Sequence, residues 1–200
     1  MSSAIHRHPR FAEFRDLLRA RSELFVPWKG TLFRFQTVDF PAPKDVLSGV
    51  GAGWRGGRWN PPGLPTLYGS TTDATALAEC KANDRYYGVE TRSPRLLVAI
   101  EAQLTRALDL TKPSIRRAMG VTLSELAAED WRNLLAAGKE SFAQSIGRAV
   151  AGADGSGLLA RSAAVRRGVN VIVFPGVCAD DHLEVVEGNK LEGLGDRTKA

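Results

Sequence analysis

Between Pro41 and Pro65 the chain carries Gly49, Gly51, Gly53, Gly56, Gly57 and Gly63 together with Pro41, Pro43, Pro61, Pro62 and Pro65. Glycine is costly and proline disruptive inside helices and strands, so this density predicts a long loop. A loop of that length within a compact domain is functional or disordered. Trp54, Arg58, Trp59 and Asn60 are embedded in it, and disordered segments are poor in aromatics. The loop is therefore expected to be ordered. At its centre, Gly56-Gly57-Arg58-Trp59-Asn60-Pro61-Pro62 joins backbone freedom, a fixed cation, an aromatic plate and an amide. Glycine lets the main chain approach a ligand, arginine pairs bidentately with a pyrophosphate, and tryptophan stacks on a ring or walls a pocket. A structural turn pinned by a buried tryptophan fits the same residues.

Around this loop, periodicity predicts a mixture of elements. Phe11, Phe14, Leu17, Leu18, Leu24 and Phe25 recur at helical spacing over 11–25, as in a surface helix. Residues 31–36 alternate as a strand, with Leu32, Arg34 and Gln36 on one face and Phe33 and Phe35 on the other. Short strands are expected at 66–69, 95–101, 105–110, 157–160, 169–174 and 183–186. Helices are expected at 74–87, opened by the hydroxyls of Ser70, Thr71 and Thr72, and at 114–119, 123–137 and 141–151. Regular βαβ alternation is lacking, so the fold class is α+β, a single domain with mixed or antiparallel sheets. With 200 residues, 44% of them apolar, one core suffices. Residues 1–29 read as an N-terminal helical extension, 30–187 as the main domain and 188–200 as a flexible tail.

Several chemistries are unsupported. There is no Walker A pattern, HExxH or GxSxG; His6 and His8 fall in a floppy leader and His182 reads as a surface residue. Cys80 and Cys178 have no partners at ligand spacing and read as buried thiols, so no metal site is expected. No apolar run approaches a membrane span, and no secretory signal pattern opens the chain, which suits a cytoplasmic protein without membrane association. The net charge of +5 fits an anionic small ligand or an acidic partner and is too scattered to require nucleic acid.

Arg34 within Leu32-Phe33-Arg34-Phe35, the Gly56 to Pro62 block, Leu67-Tyr68 followed by Ala76-Leu77-Ala78-Glu79, and Ser162-Ala163 with Asn170 to Pro175 occur in the order found in the RES-domain family. Gln144 and Gly147 match a further pattern of that family. The resemblance spans about residues 30 to 177. It implies a fold similar to ADP-ribosyltransferase toxins, with a split NAD cleft. It also implies consumption of NAD by phosphorolysis or hydrolysis, or transfer of ADP-ribose to a protein, and a partner antitoxin of the Xre helix-turn-helix type. The residues implicated are Glu79, Arg34 and Tyr68 as catalytic, and Arg34, Arg58, Trp59, Asn60, Tyr68 and Ser162 in contact with NAD. Arg161 stands where the family commonly has proline before the serine, and Gly69 where a larger apolar residue is usual.

Cleaving the nicotinamide–ribose bond builds positive charge on the ribose, and nicotinamide leaves without protonation, so one well-placed carboxylate suffices. Glu79 is assigned that role. Arg34 and Arg58 would bind the diphosphate or a ribose, Tyr68 would stack on or wall the nicotinamide, and Ser162 would hydrogen-bond the ligand or Glu79. NAD is then a substrate, phosphate a possible co-substrate, and no cofactor is called for. Two other readings are compatible with the sequence: transfer of ADP-ribose to a protein, and a nucleotide-binding or partner-recognition module without turnover.

Overall fold

The computed structural model describes residues 5–88, 94–177 and 179–195; Cys178 and residues 196–200 of the tail expected over 188–200 lie outside them. Two long strands form the frame, β1 (Phe25–Thr37) and β3 (Arg95–Asp109), paired antiparallel from Phe25 opposite Leu108 to Thr37 opposite Arg95. The register slips between Val26 and Trp28, at Pro27, which has no N–H to give the ladder. Where two strands were expected over 95–110, one continuous strand runs, and the helix expected over 11–25 stops at Ala20, so that Phe25 opens β1.

Four shorter strands complete the sheet: β2 (Leu67–Ser70), β4 (Gly157–Arg161), β5 (Val169–Val173) and β6 (His182–Val185). Their order is β1-β2-β5-β4-β3-β6, and the β1–β3 pairing closes the first five into a barrel-like ring. Among the described residues the fold is thus α+β with a single mixed sheet, in which β3 and β4 run parallel and the other pairs antiparallel.

The sheet separates two apolar layers. Leu32, Leu67, Val98, Ile100, Val171 and Val173 fill its interior. Ile172 and Leu158 face outward onto helices α1 (Phe11–Ala20) and α8 (Phe142–Gly152), against Phe14, Leu18, Ile146 and Val150. Val171, Ile172 and Val173 are all fully buried, as in a strand covered on both faces. The N-terminal helix belongs to this core, for Phe14 and Leu18 have no exposed surface, a burial that stabilises by about 2–3 kcal/mol per side chain. His6 and His8 are held as well, which corrects their expected place in a loose leader. The His6 N–H donates to the Gly138 carbonyl at 2.8 Å, the His8 N–H donates to Glu140 Oε2 at 2.9 Å, and the His8 ring meets Phe142 edge-on.

The Gly/Pro-dense stretch is only partly loop. It contains two six-residue helices, α2 (Pro43–Ser48) and α3 (Val50–Arg55). Pro43 sits in the first turn of α2, where its missing N–H costs nothing, and Gly49 at φ +65° makes the left-handed joint between the two. Further on come α4 (Asp73–Tyr86) and α5 (Pro113–Ala118). The helix expected over 123–137 divides into α6 (Leu123–Ala128) and α7 (Trp131–Ala136), because Asp130 leaves the helix to cap the N–H groups of Arg132 and Asn133. Residues 188–195 form α9 (Gly188–Gly195) where a tail was expected.

Candidate active site

Helix α4 follows directly on β2 and is capped by Thr72, whose hydroxyl accepts from the Thr75 N–H. Two turns in, half-buried Glu79 meets two donors brought from the far end of the chain. Ser162 Oγ donates to Glu79 Oε1 at 2.7 Å and Asn170 Nδ2 donates to the same oxygen at 2.7 Å. Each donor is itself fixed. Ser162 Oγ accepts from the Ala164 and Val165 N–H groups at 3.1 and 3.0 Å, and Asn170 Oδ1 accepts from Ser70 Oγ at 2.8 Å. Asn170 owes its place to register, since β5 sets it opposite Ser70 of β2 and Ala160 of β4. Among the described residues no hydrogen bond ends on Glu79 Oε2, which leaves that oxygen for a ligand.

Beside this carboxylate the sheet opens. β1 and β2 share one register pair, Phe33 opposite Ser70; continued, the register would place Phe35 opposite Tyr68. Instead a cavity of about 240 Å³ lies between the two edges and α4, lined among others by Phe33, Arg34, Tyr68, Glu79, Asn83 and Asn170. Arg34 stands opposite Val98 on the inward face of β1. One of its Nη atoms donates to the Val46 carbonyl at 3.3 Å, while its Nε is buried without a hydrogen-bond partner. Desolvation lowers its pKa to about 10. No carboxylate pairs with Arg34 among the described residues, so an anion entering the cavity would meet a cation already stripped of water.

The Gly56 to Pro62 block forms the wall behind Tyr68. The N–H of Gly57 donates to the Asn60 carbonyl at 2.8 Å to make a tight turn. Asn60 has no exposed surface. Its Nδ2 donates to the carbonyls of Ala52, Pro61 and Leu64, and its Oδ1 accepts from Tyr68 Oη at 2.8 Å. That phenol in turn accepts from the Trp59 N–H at 2.9 Å. Burial pushes the Tyr68 hydroxyl far above its usual pKa, so it stays a neutral donor while its ring borders the cavity. Gly57 is required at this point, for a Cβ there would lie 2.5 Å from Tyr68 Oη. Helix α8 locks the turn from outside: Gln144 Nε2 donates to the carbonyls of Gly57 and Asn60 at 2.9 and 3.2 Å. A Cβ on Gly147 would fall 1.8 Å from the Trp59 carbonyl oxygen. These contacts account for Gln144 and Gly147 of the sequence pattern.

Of the residues singled out in the sequence, Arg34, Tyr68 and Glu79 line one cavity, and Ser162 reaches it through Glu79. Arg58 is not among the residues that line it. Its Nη2 donates to the Leu126 carbonyl at 2.7 Å, burial lowers its pKa, and the nearby charge of Glu79 partly offsets that lowering. Trp59 is 5% exposed and packed into the outer core, and the amide of Asn60 is engaged by the scaffold, so in this structure both serve the wall behind Tyr68 and not the cavity surface. Cys80 is not simply buried: its half-buried thiol borders the cavity and receives a hydrogen bond from Arg95. Burial raises its pKa. Arg161, the departure beside Ser162, is exposed and donates to the Arg167 carbonyl at 3.3 Å. Gly69 brings the strands together, since a Cβ there would come 3.0 Å from that of Leu32. Sequence reasoning gave no site role to Asn83 or Asn170 and took Ser70 only as a helix-capping hydroxyl. A lone amide inside the apolar run Val169 to Phe174 was the available signal for Asn170. Among the described residues no group of three or more His, Cys, Asp or Glu is placed to hold a metal ion.

The barrel-like α+β domain thus places, in one cavity, a braced carboxylate and a desolvated arginine that has no acidic partner among the described residues, charges of the kinds that could meet an anion and stabilise a cation. The chain belongs to the RES domain family, whose model matches residues 31–192. It is 31% identical over 142 residues to the NAD(+) phosphorylase MbcT of Mycobacterium bovis and to that of Mycobacterium tuberculosis, covering 67% of this chain and 73% of each relative. Its fold is similar to a chain in the crystal structure of the M. tuberculosis MbcT-MbcA toxin-antitoxin complex, with a TM-score of 0.65 and 23% identity over 92% of this chain and 97% of that one.

Proposed function

We propose that this chain is an NAD-degrading toxin that transfers ADP-ribose from nicotinamide to phosphate. The observation that carries the reading is the Glu79 carboxylate, held by Ser162 and Asn170 on one oxygen and open on the other, beside Arg34, which has no carboxylate partner among the described residues. The names of its relatives, an NAD(+) phosphorylase and a toxin complexed with an antitoxin, support the same assignment.

In this mechanism Arg34 and Arg58 hold the diphosphate, and the Tyr68 ring walls the nicotinamide. The bond between ribose C1′ and the pyridinium nitrogen breaks, its electron pair neutralises the pyridinium, and nicotinamide departs without needing an acid. Glu79 Oε2 faces the cation developing on the ribose. A fixed negative charge there stabilises the transition state more than the ground state. A phosphate oxygen then bonds to C1′, giving ADP-ribose 1″-phosphate. NAD and phosphate are both substrates and no cofactor takes part. The cleft is of the split ADP-ribosyltransferase type, and the protein acts in the cytoplasm without contacting nucleic acid directly. An Xre-type helix-turn-helix antitoxin restrains it by covering the cleft.

The deciding experiment is release of nicotinamide from NAD by purified protein, with and without phosphate, for wild type and Glu79→Gln. Phosphate-stimulated release that needs Glu79 is expected. Release indifferent to phosphate selects hydrolysis, and labelling of an added protein selects transfer. No release and no labelling by folded protein refutes the reading and leaves a binding module.

A further inference from the structure

The cavity-facing stripe of α4 does not end at Glu79. Asn83 and Tyr86 continue it at i+4 and i+7, so the stripe runs roughly 10 Å beyond the carboxylate. Asn83 lines the cavity and its Oδ1 accepts a hydrogen bond from Arg132 Nη2 at 3.0 Å. The Arg132 guanidinium lies 4.1 Å from the centroid of the Tyr86 ring, 4.4 Å from Trp131 and 5.6 Å from Tyr87. Tyr86 and Tyr87, packed edge to face, remain 48% and 58% exposed. Arg132 Nε is buried without a hydrogen-bond partner.

Among the described residues Arg19, Arg106 and Arg116 form no ion pair and turn to backbone carbonyls, whereas the one hydrogen bond the Arg132 guanidinium makes is to the Asn83 side chain. Arg10, Arg15, Arg21, Arg95 and Arg148 each pair with a carboxylate, whereas no ion pair forms at Arg34, Arg58 or Arg132 among the described residues. Arg132 is also close enough to Arg58 for the two charges to repel. A cation held by aromatic faces and an amide, near a second cation and without an acid, awaits an anion. Half-exposed tyrosines beside it offer faces for a flat base.

We infer that Arg132, Asn83, Tyr86 and Tyr87 form a subsite for the adenylate half of a dinucleotide, with Arg132 taking a phosphate and the tyrosines the purine. The inference rests on the proposed NAD cleavage, since Glu79 then marks the nicotinamide-ribose end and the aromatic cluster lies roughly 10 Å further along α4, a span that the diphosphate and second ribose of a dinucleotide can bridge. The subsite makes the enzyme select NAD over nicotinamide mononucleotide, which has the reacting bond but no adenylate.

The test combines binding and turnover. ADP-ribose and ribose 5-phosphate are titrated calorimetrically into wild type, Arg132→Leu and Tyr87→Ala, and nicotinamide release is followed from NAD and from nicotinamide mononucleotide. In the variants the Kd for ADP-ribose is expected to rise about 10- to 100-fold with that for ribose 5-phosphate unchanged, and KM for NAD to rise while release from the mononucleotide stays constant. Unchanged ADP-ribose affinity in both variants overturns the subsite. So does an equal loss toward both substrates, which would mark Arg132 as a packing residue joining α7 to α4. Should Arg132→Leu fail to fold, Tyr87→Ala, at a half-exposed position, decides alone. If wild type releases no nicotinamide, the cleavage reading falls, and the ADP-ribose titration still decides whether the subsite exists.

Discussion

Ser162 Oγ donates to Glu79 Oε1 at 2.7 Å although 83 positions separate the two residues. With Asn170 on the same oxygen, the carboxylate is oriented before a ligand arrives. Its charge can be removed without disturbing its partners, because the amide oxygen of glutamine accepts the same two hydrogen bonds. Glu79→Gln is expected to lower the rate of nicotinamide release about 10²- to 10³-fold, with an unchanged melting temperature. A rate within a few fold of wild type, measured by chromatography of released nicotinamide, would remove Glu79 from the chemistry.

Ser162 has two structural duties, donating to Glu79 and accepting from the Ala164 and Val165 N–H groups. Ser162→Ala therefore leaves two backbone donors without their acceptor and Asn170 alone to hold the carboxylate. The expected cost is about 1–3 kcal/mol of stability, seen as a lower urea midpoint, together with a kcat reduced about tenfold and little change in KM.

Gly147 faces the Trp59 carbonyl with no room for a methyl group, the built Cβ lying 1.8 Å from that oxygen. Gly147→Ala must push α8 away from the turn and break the Gln144 hydrogen bonds. We expect destabilisation beyond the about 1–3 kcal/mol typical of overpacking, with the protein recovered aggregated or molten. Gly152→Ala, whose added Cβ would meet only the Arg15 side chain at 3.9 Å, should fold normally and serves as the control.

Arg34 is a cation without a compensating acid. Desolvation lowers its folded pKa from 12.5 to about 10, so at neutral pH its charge opposes folding, and that penalty is relieved as pH rises through about 10. Arg34→Met should raise the melting temperature while raising KM for NAD at least tenfold. Because a guanidinium stays charged and a bound anion holds its proton more firmly, ligand affinity of the wild type should hold steady from about pH 6 to pH 9. Calorimetric titration of ADP-ribose across this range reads the effect directly.

Helix α1 contributes Phe14 and Leu18 to the outer core, both without exposed surface. Phe14→Ala should cost about 3–5 kcal/mol, measured by chemical denaturation. A neutral result would show the N-terminal helix to be dispensable.

Much of the candidate site was readable in the chain because its parts are local. Arg34 alternates with apolar neighbours on a strand, Glu79 follows a run of helix-forming alanines behind a threonine cap, and the Gly56 to Pro62 block has a composition that only a turn accommodates. Roles that depended on partners were not readable. Asn60 looked like a ligand contact because an amide in a glycine-rich loop has no visible partner in sequence; in the fold its donors meet Ala52, Pro61 and Leu64 and its acceptor meets Tyr68. The helix expected over 123–137 failed because periodicity does not register an aspartate that serves better as a cap than as a helical residue.

By itself, the sequence determined the class of the fold, most of the strands and helices outside the Gly/Pro-dense stretch and the residue types available for chemistry, since period, capping and turn chemistry act over a few neighbouring residues. Tertiary structure decided which of those residues meet. Closure of β1 on β3, the register that sets Asn170 against Ser70, and the splaying of β1 from β2 that opens the cavity are long-range pairings. Their free energy comes from burying two apolar layers at once, and no short stretch of the chain contains it.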